Sequence, residues 1–105
     1  MNISVESFKR VDLLTLSGKI DSTTATKLDQ TISDLHTKGR KNLVMDLSNV
    51  DFLSSAGLRS IITAHKDGQL VLVSPSDKVL EVFNLTGLQD RFEIANDTTS
   101  AVGSF

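Results

Sequence analysis

The sequence predicts an α/β fold, mixed α+β in detail: a small, mostly parallel central sheet, entered through an N-terminal hairpin-like strand pair and flanked by helices. Three observations carry this. Leu43-Val44-Met45 with Leu47, and Leu70-Val71-Leu72-Val73, are short apolar runs of the kind seen in parallel strands covered on both faces. Segments with apolar residues at helical spacing separate these runs, so strands and helices alternate. Ile3 and Val5 alternate with Ser4 and Glu6, the period of a half-buried strand.

Taken in order, Ile3 to Glu6 forms the first strand, and after the polar Lys9-Arg10 break Val11 to Leu16 forms the second, which Gly18 ends. From Ser22 to Lys38, Ala25, Leu28, Ile32 and Leu35 share one helical face; Asp21 and Ser22 are candidate caps and Gly39 is the stop. A strand over 43–47 follows. Leu58, Ile61, Ile62 and His65 then repeat at helical spacing and predict a helix over about 55–66, closed by the Asp67-Gly68 turn. Leu70 to Val73 is the next strand, bounded by Ser74-Pro75. Val79, Val82 and Phe83 mark a short helix, capped by Ser76 or Asp77 and stopped by Gly87. Phe92-Glu93-Ile94 predicts an edge strand, and Asp97 to Val102 a last short helix or frayed tail.

Length and composition bound the function. A chain of 105 residues reads as one domain, 1–105, able to bury roughly two-thirds of its unfolded surface without staples. It has no cysteine, so neither a disulfide framework nor a thiolate metal site exists, which suits a reducing cytoplasm. A formal charge of −2 with scattered Lys and Arg leaves no basic footprint for nucleic acid or an anionic membrane. No secretory signal pattern opens the chain and no run of apolar residues is long enough to span a bilayer, so a soluble, untargeted protein is expected. Two histidines without a nearby cluster of acidic residues suggest no metal and no cofactor.

The most informative segment is Asp46-Leu47-Ser48-Asn49-Val50-Asp51-Phe52-Leu53-Ser54-Ser55-Ala56-Gly57-Leu58, where a buried run gives way to a helix through two serines. A helix start leaves backbone N–H groups without intrahelical partners and carries partial positive charge, so a phosphoryl group on a hydroxyl there is tolerated. The reading is a serine switch, against the plainer one in which Ser54 and Ser55 only cap the helix. Asp46, interrupting an apolar strand, is read as structural, since a buried carboxylate must find hydrogen bonds.

Gly18-Lys19-Ile20-Asp21 followed by Thr24-Ala25, then Asp46-Leu47-Ser48, then Phe52-Leu53-Ser54-Ser55-Ala56-Gly57-Leu58-Arg59 resembles the STAS domain of bacterial anti-sigma factor antagonists, in a Ser-Ser-Ala-Gly-Leu-Arg variant. Order, spacing and length match over nearly the whole chain. The resemblance implies the STAS fold and a phosphorylation-controlled partner switch. Unphosphorylated, such a protein binds an anti-sigma factor with serine-kinase activity and frees a sigma factor. Phosphorylation breaks the complex, and a PP2C-type serine phosphatase restores it. The resemblance also allows an alternative, an accessory STAS subunit of a transporter or other signalling assembly.

Carried over by residue, the resemblance makes Ser55, two before Gly57, the phosphoacceptor, with Ser54 a minor alternative. It places Asp21, Ser22, Thr23 and Thr24 in a loop beside the switch, forming a partner surface with Ser54, Ala56, Gly57 and Arg59, although Asp21 has capping its own helix as an alternative. Gly57 is read as letting a partner approach closely, and Arg59 as reaching a phosphate from one turn on. Catalysis is disfavoured: His65 lies about 15 Å along the same helix from Ser55, and no Gly-x-Ser-x-Gly surrounds that serine. His36 stays open on sequence grounds. A monomer acting as substrate of the switch, not as an enzyme, is expected.

Overall fold

The computed structural model describes residues 1–105 and holds nine elements: β1 (Asn2–Ser7), β2 (Asp12–Ile20), α1 (Ser22–Thr37), β3 (Asn42–Leu53), α2 (Ser55–Asp67), β4 (Gln69–Val73), α3 (Asp77–Thr86), β5 (Glu93–Ala95) and α4 (Thr98–Gly103). The five strands lie side by side in chain order. β1 pairs antiparallel with β2, from Asn2 opposite Ser17 to Ser7 opposite Asp12, while β2, β3, β4 and β5 run parallel. Each parallel step is made by a helix. Side chains from α1 (Leu28, Ile32), α2 (Leu58, Ile61) and α3 (Val79, Phe83) meet Leu14, Leu16, Met45 and Leu72 in one core on one face of the sheet. On the other face α4 contributes Ala101 to a smaller cluster with Val11, Val44, Val71 and Val73. That β3 and β4 bury both faces is why they read as unbroken apolar runs.

Two strands are longer than the sequence suggests. Gly18 does not end β2, which continues to Ile20, and β3 runs on past Leu47 to Leu53. The register explains both. Between Thr15 opposite Asp46 and Ser17 opposite Asn49, and again between Gly18 opposite Val50 and Lys19 opposite Phe52, β3 advances one residue more than β2. These are bulges, which bend a strand without stopping it. Gly18, at φ 88, takes the left-handed backbone conformation within the strand. Asp46 Oδ1 accepts from the Ser48 N–H at 3.0 Å and the Ser48 hydroxyl at 2.8 Å, closing the first bulge. The carboxylate is half-buried and its role is structural.

At the opposite end of the sheet the chain buries a charge. Asp12, the first residue of β2, is fully buried, and its Oδ2 accepts from Arg40 Nε at 2.8 Å. The same guanidinium donates to the carbonyls of Phe8 at 2.6 Å and Lys9 at 3.1 Å, so Arg40 ties the β1–β2 turn to the loop entering β3. Nearby, Gly68 closes α2 against the Lys41 carbonyl so tightly that a Cβ there would collide with it.

Candidate functional site

Ile20 and Leu53 are register partners at the carboxyl ends of β2 and β3, and the Ser54 N–H donates to the Ile20 carbonyl at 2.9 Å. The chain leaves both strands directly into helices, so α1 and α2 start side by side. Ligand-facing loops in parallel sheets gather at this end. The structure thereby brings Asp21, Ser22, Thr23 and Thr24 to the same end of the sheet as Ser54 and Ser55, residues 30 or more positions away in sequence.

The two serines divide the work. Ser54 is the N-cap of α2: extended in backbone, it accepts the Gly57 N–H on its Oγ at 3.1 Å. Ser55 is the first helical residue, exposed, and its hydroxyl makes no hydrogen bond within the chain. One hydroxyl is spent on the fold and the other is free.

Asp21 caps α1. Its Oδ1 accepts the N–H of Thr24 at 2.9 Å and of Thr23 at 3.0 Å, and the Asp21 N–H donates back to the Thr24 hydroxyl at 2.8 Å, a reciprocal box in which Thr24 stands where Glu or Gln is usual. These bonds, the Thr24 N–H first, then the Thr24 hydroxyl and, after a small opposing desolvation, the Thr23 N–H, hold the Asp21 carboxyl below its ordinary 3.8. A folded value below the unfolded one stabilises the fold above the unfolded pKa and is lost as pH falls through the folded one. The stability gap between the wild type and Asp21→Ala is therefore expected to be widest near neutral pH and to close as pH drops below 3.8, read from urea midpoints across that range. Ser22, Thr23 and Thr24 are the first turn of α1 and not the loop expected from the sequence, because the Asp21 cap starts the helix there. Asp21 and Thr24 are half-buried and engaged, which leaves Ser22 and Thr23 exposed.

Two assignments change. Gly57 is buried, and the close approach it permits is internal: a Cβ there would stand 2.6 Å from Ile20 Cγ2, 2.8 Å from Leu53 Cδ1 and 3.1 Å from the Ile20 carbonyl oxygen. A glycine lets α2 start flush against the ends of β2 and β3, so the close approach at Gly57 serves the fold. Gly57→Val is expected to cost about 1–3 kcal/mol through overpacking, seen as a lower urea midpoint at unchanged slope. Ile62 is the second. It lies outside the buried stripe of α2, which is Gly57, Leu58, Ser60, Ile61 and Ala64. The Ser60 hydroxyl is buried but donates to the Ala56 carbonyl at 3.2 Å, which is how a polar residue joins that face.

Ala56 is half-buried against the main core. Arg59 is exposed one turn beyond Ser55, with no carboxylate in hydrogen-bond range, beside a cavity lined also by Asp29, Ser33, Thr63 and Asp67. His36 lies at the far end of α1 from Asp21, about 20 Å along that helix, and so is no base for Ser55. Phe52 is a surface residue that no sequence signal marks. Two residues before Ser54 and 47% exposed, it stands beside Leu85 of α3, and alternation along a bulged strand does not reveal it.

Fold and site together define an α/β domain whose distinctive face is the paired starts of two helices. The model of the STAS domain family matches residues 2–101. The anti-sigma-B factor antagonist of Listeria monocytogenes is 34% identical over 105 residues, spanning 91% of this chain and 91% of that protein. An anti-sigma factor antagonist from Mycobacterium paratuberculosis, solved by crystallography, is 28% identical with a TM-score of 0.85 over 98% of this chain and 92% of that one. The Bacillus cell fate determinant SpoIIAA in its phosphorylated form shares the fold, at a TM-score of 0.77 and 18% identity over 99% of this chain and 100% of that one. The chain belongs to the STAS-domain family of anti-sigma factor antagonists. No helix is long and apolar enough to cross a membrane.

Proposed function

We propose that this chain, acting in the cytoplasm as a single monomeric STAS domain, is the substrate and effector of a phosphorylation switch at Ser55. Unphosphorylated, it binds an anti-sigma factor with serine-kinase activity through Ser22, Thr23, Ser54, Ser55, Ala56 and Arg59, with Phe52 extending that face. The kinase transfers the γ-phosphoryl group of ATP to Ser55 Oγ; the hydroxyl proton is lost and ADP leaves. A PP2C-type phosphatase hydrolyses the ester and returns the protein to its binding form. The observation that carries the reading is the unequal state of the two serines: the Ser55 hydroxyl is exposed and unengaged, while Ser54 Oγ holds the Gly57 N–H. The start of α2 also favours negative charge on Ser55 within the chain itself.

The test is intact-mass and peptide-mapping spectrometry after incubation with a kinase-type anti-sigma factor and ATP. One phosphate on Ser55 is expected, retained in Ser54→Ala and absent from Ser55→Ala. Phosphate on Ser54, or an unmodified wild type that stays bound to the kinase, would sink the assignment.

A further inference from the structure

Of the four cavities on this protein, three include a carboxylate in their walls: Glu6 in the first, Asp51 and Glu81 in another, Asp29 and Asp67 in the third. The fourth has none. It lies between the second half of α2 and the 87–92 loop that leads into β5, has a volume of about 250 Å³, and is lined by Ile62, His65, Lys66, Leu88, Arg91 and Phe92. Lys66 and Arg91 are therefore the charged residues of a wall that holds no carboxylate, although Asp67 and Asp90 adjoin them in the chain, whose net charge is −2. Neither Lys66 nor Arg91 forms an ion pair; the only one in the molecule joins Arg40 to Asp12.

Both walls are built in. Ile62, His65 and Lys66 stand at i, i+3 and i+4 on α2 and so project side by side. Leu88, Arg91 and Phe92 repeat that spacing in the loop, where the Arg91 N–H closes a turn on the Leu88 carbonyl at 2.9 Å. Phe92 fixes the floor. It is 8% exposed, 5.1 Å from the Phe83 ring in the core, and the His65 ring meets it edge-on at 5.2 Å and 86°. Ile62, 38% exposed, offers apolar surface that the chain itself does not cover.

We propose that this recess seats one apolar side chain of an acidic peptide segment belonging to a partner protein, with Lys66 and Arg91 binding the flanking carboxylates. Charge complementarity selects the acidic partner: two unpaired cations at the rim of an apolar floor attract carboxylates and discriminate against basic segments. Size selects a side-chain anchor. The volume falls short of the 300–1,000 Å³ usual for small-molecule sites but holds a leucine or phenylalanine, the pattern of a buried anchor ringed by polar contacts. The recess begins seven residues after Ser55, about 10 Å along α2, and its occupancy does not depend on the phosphorylation proposal.

The experiment is titration of the isotope-labelled full chain, followed by amide NMR, with short synthetic peptides in which glutamates flank a single leucine. Saturable shifts centred on Ile62, Lys66, Arg91 and Phe92 are expected. Affinity should fall about tenfold or more when the leucine becomes alanine, and by a similar factor in the Lys66→Glu/Arg91→Glu protein. Both substituted side chains are exposed, and an unchanged spectrum elsewhere verifies the fold. The proposal is overturned if no peptide gives saturable shifts. It is equally overturned if alanine serves as well as leucine, if charge reversal leaves affinity unchanged, or if acetate or phosphate alone reproduces the same shifts at the same concentrations.

Discussion

Arg40→Met is expected to lower the unfolding free energy by about 3–5 kcal/mol, a large part of the 5–15 kcal/mol that holds a domain of this size together. The reason lies in Asp12. Its carboxylate is fully buried, Oδ2 is held by Arg40 at 2.8 Å, and Oδ1 has no hydrogen-bond partner within the chain. Attraction between the two charges offsets their desolvation only while both are present; removing the cation leaves an uncompensated buried anion. The same substitution frees the Phe8 and Lys9 carbonyls in the β1–β2 turn. Equilibrium urea unfolding reads the loss as a lower midpoint at similar slope. Replacing both partners, Asp12→Leu with Arg40→Met, should recover much of it, since a buried pair exchanged for apolar residues is often neutral. A single substitution costing under about 1 kcal/mol would show that Asp12 is not desolvated in solution.

A phosphate on Ser55 is expected to raise the Kd for the anti-sigma partner by on the order of 100-fold or more, equivalent to several kcal/mol, while leaving thermal unfolding of the free protein nearly unchanged. It adds about −1.5 to −2 charges and three acceptor oxygens to an exposed position within the proposed partner face. Within the chain that charge meets the N–H groups at the start of α2 and has Arg59 one turn away, so the fold tolerates it. A partner surface shaped for a neutral hydroxyl has no such compensation. Asp21, whose carboxyl the hydrogen bonds from Thr24 and Thr23 hold below its ordinary value, caps the adjoining start of α1 and adds to the repulsion. Calorimetric titration of phosphorylated and unmodified protein against the same kinase measures the difference, and Ser55→Glu should reproduce part of it. Equal affinities would remove the switch even with Ser55 confirmed as the phosphoacceptor.

The local signals in this chain were legible because the residues that send them also execute them. Asp21, Ser54, Ser76 and Asp97 are the N-caps of the four helices, each accepting a backbone N–H from its own first turn. Gly87, at φ 71, closes α3 in the left-handed conformation expected of a helix stop. The apolar runs at Leu43 and Leu70 became the parallel strands they resembled. The motif around Ser55 was equally readable, since serine, helix start and neighbouring loop are successive or repeat a family pattern.

What escaped depended on partners far along the chain. Gly18 looked like a strand end because glycine ends strands in isolation; its place beside a bulge is set by pairing with residues some 30 positions later. Ser48, Asn49 and Asp51 are polar and so carry no strand signal, yet Asn49 pairs with Ser17 on β2, and Ser48 and Asp51 are carried in β3 at its two bulges. Gly57 reads in sequence as a site of close partner approach, and only the position of Ile20 against it shows an approach within the chain. Nothing in the spacing of Asp12 and Arg40 announces an ion pair, and nothing in the stripe of α2 shows that Ile62 falls outside the core. By itself the sequence determined the order and type of the elements and narrowed the caps to a few polar residues at each helix start, since these rest on propensity and hydrogen bonds within a few residues. The tertiary structure alone decided which serine hydroxyl is free, which glycine is a packing contact and where charge is buried or unpaired, because burial and close approach are properties of pairs of segments that only the closed sheet brings together.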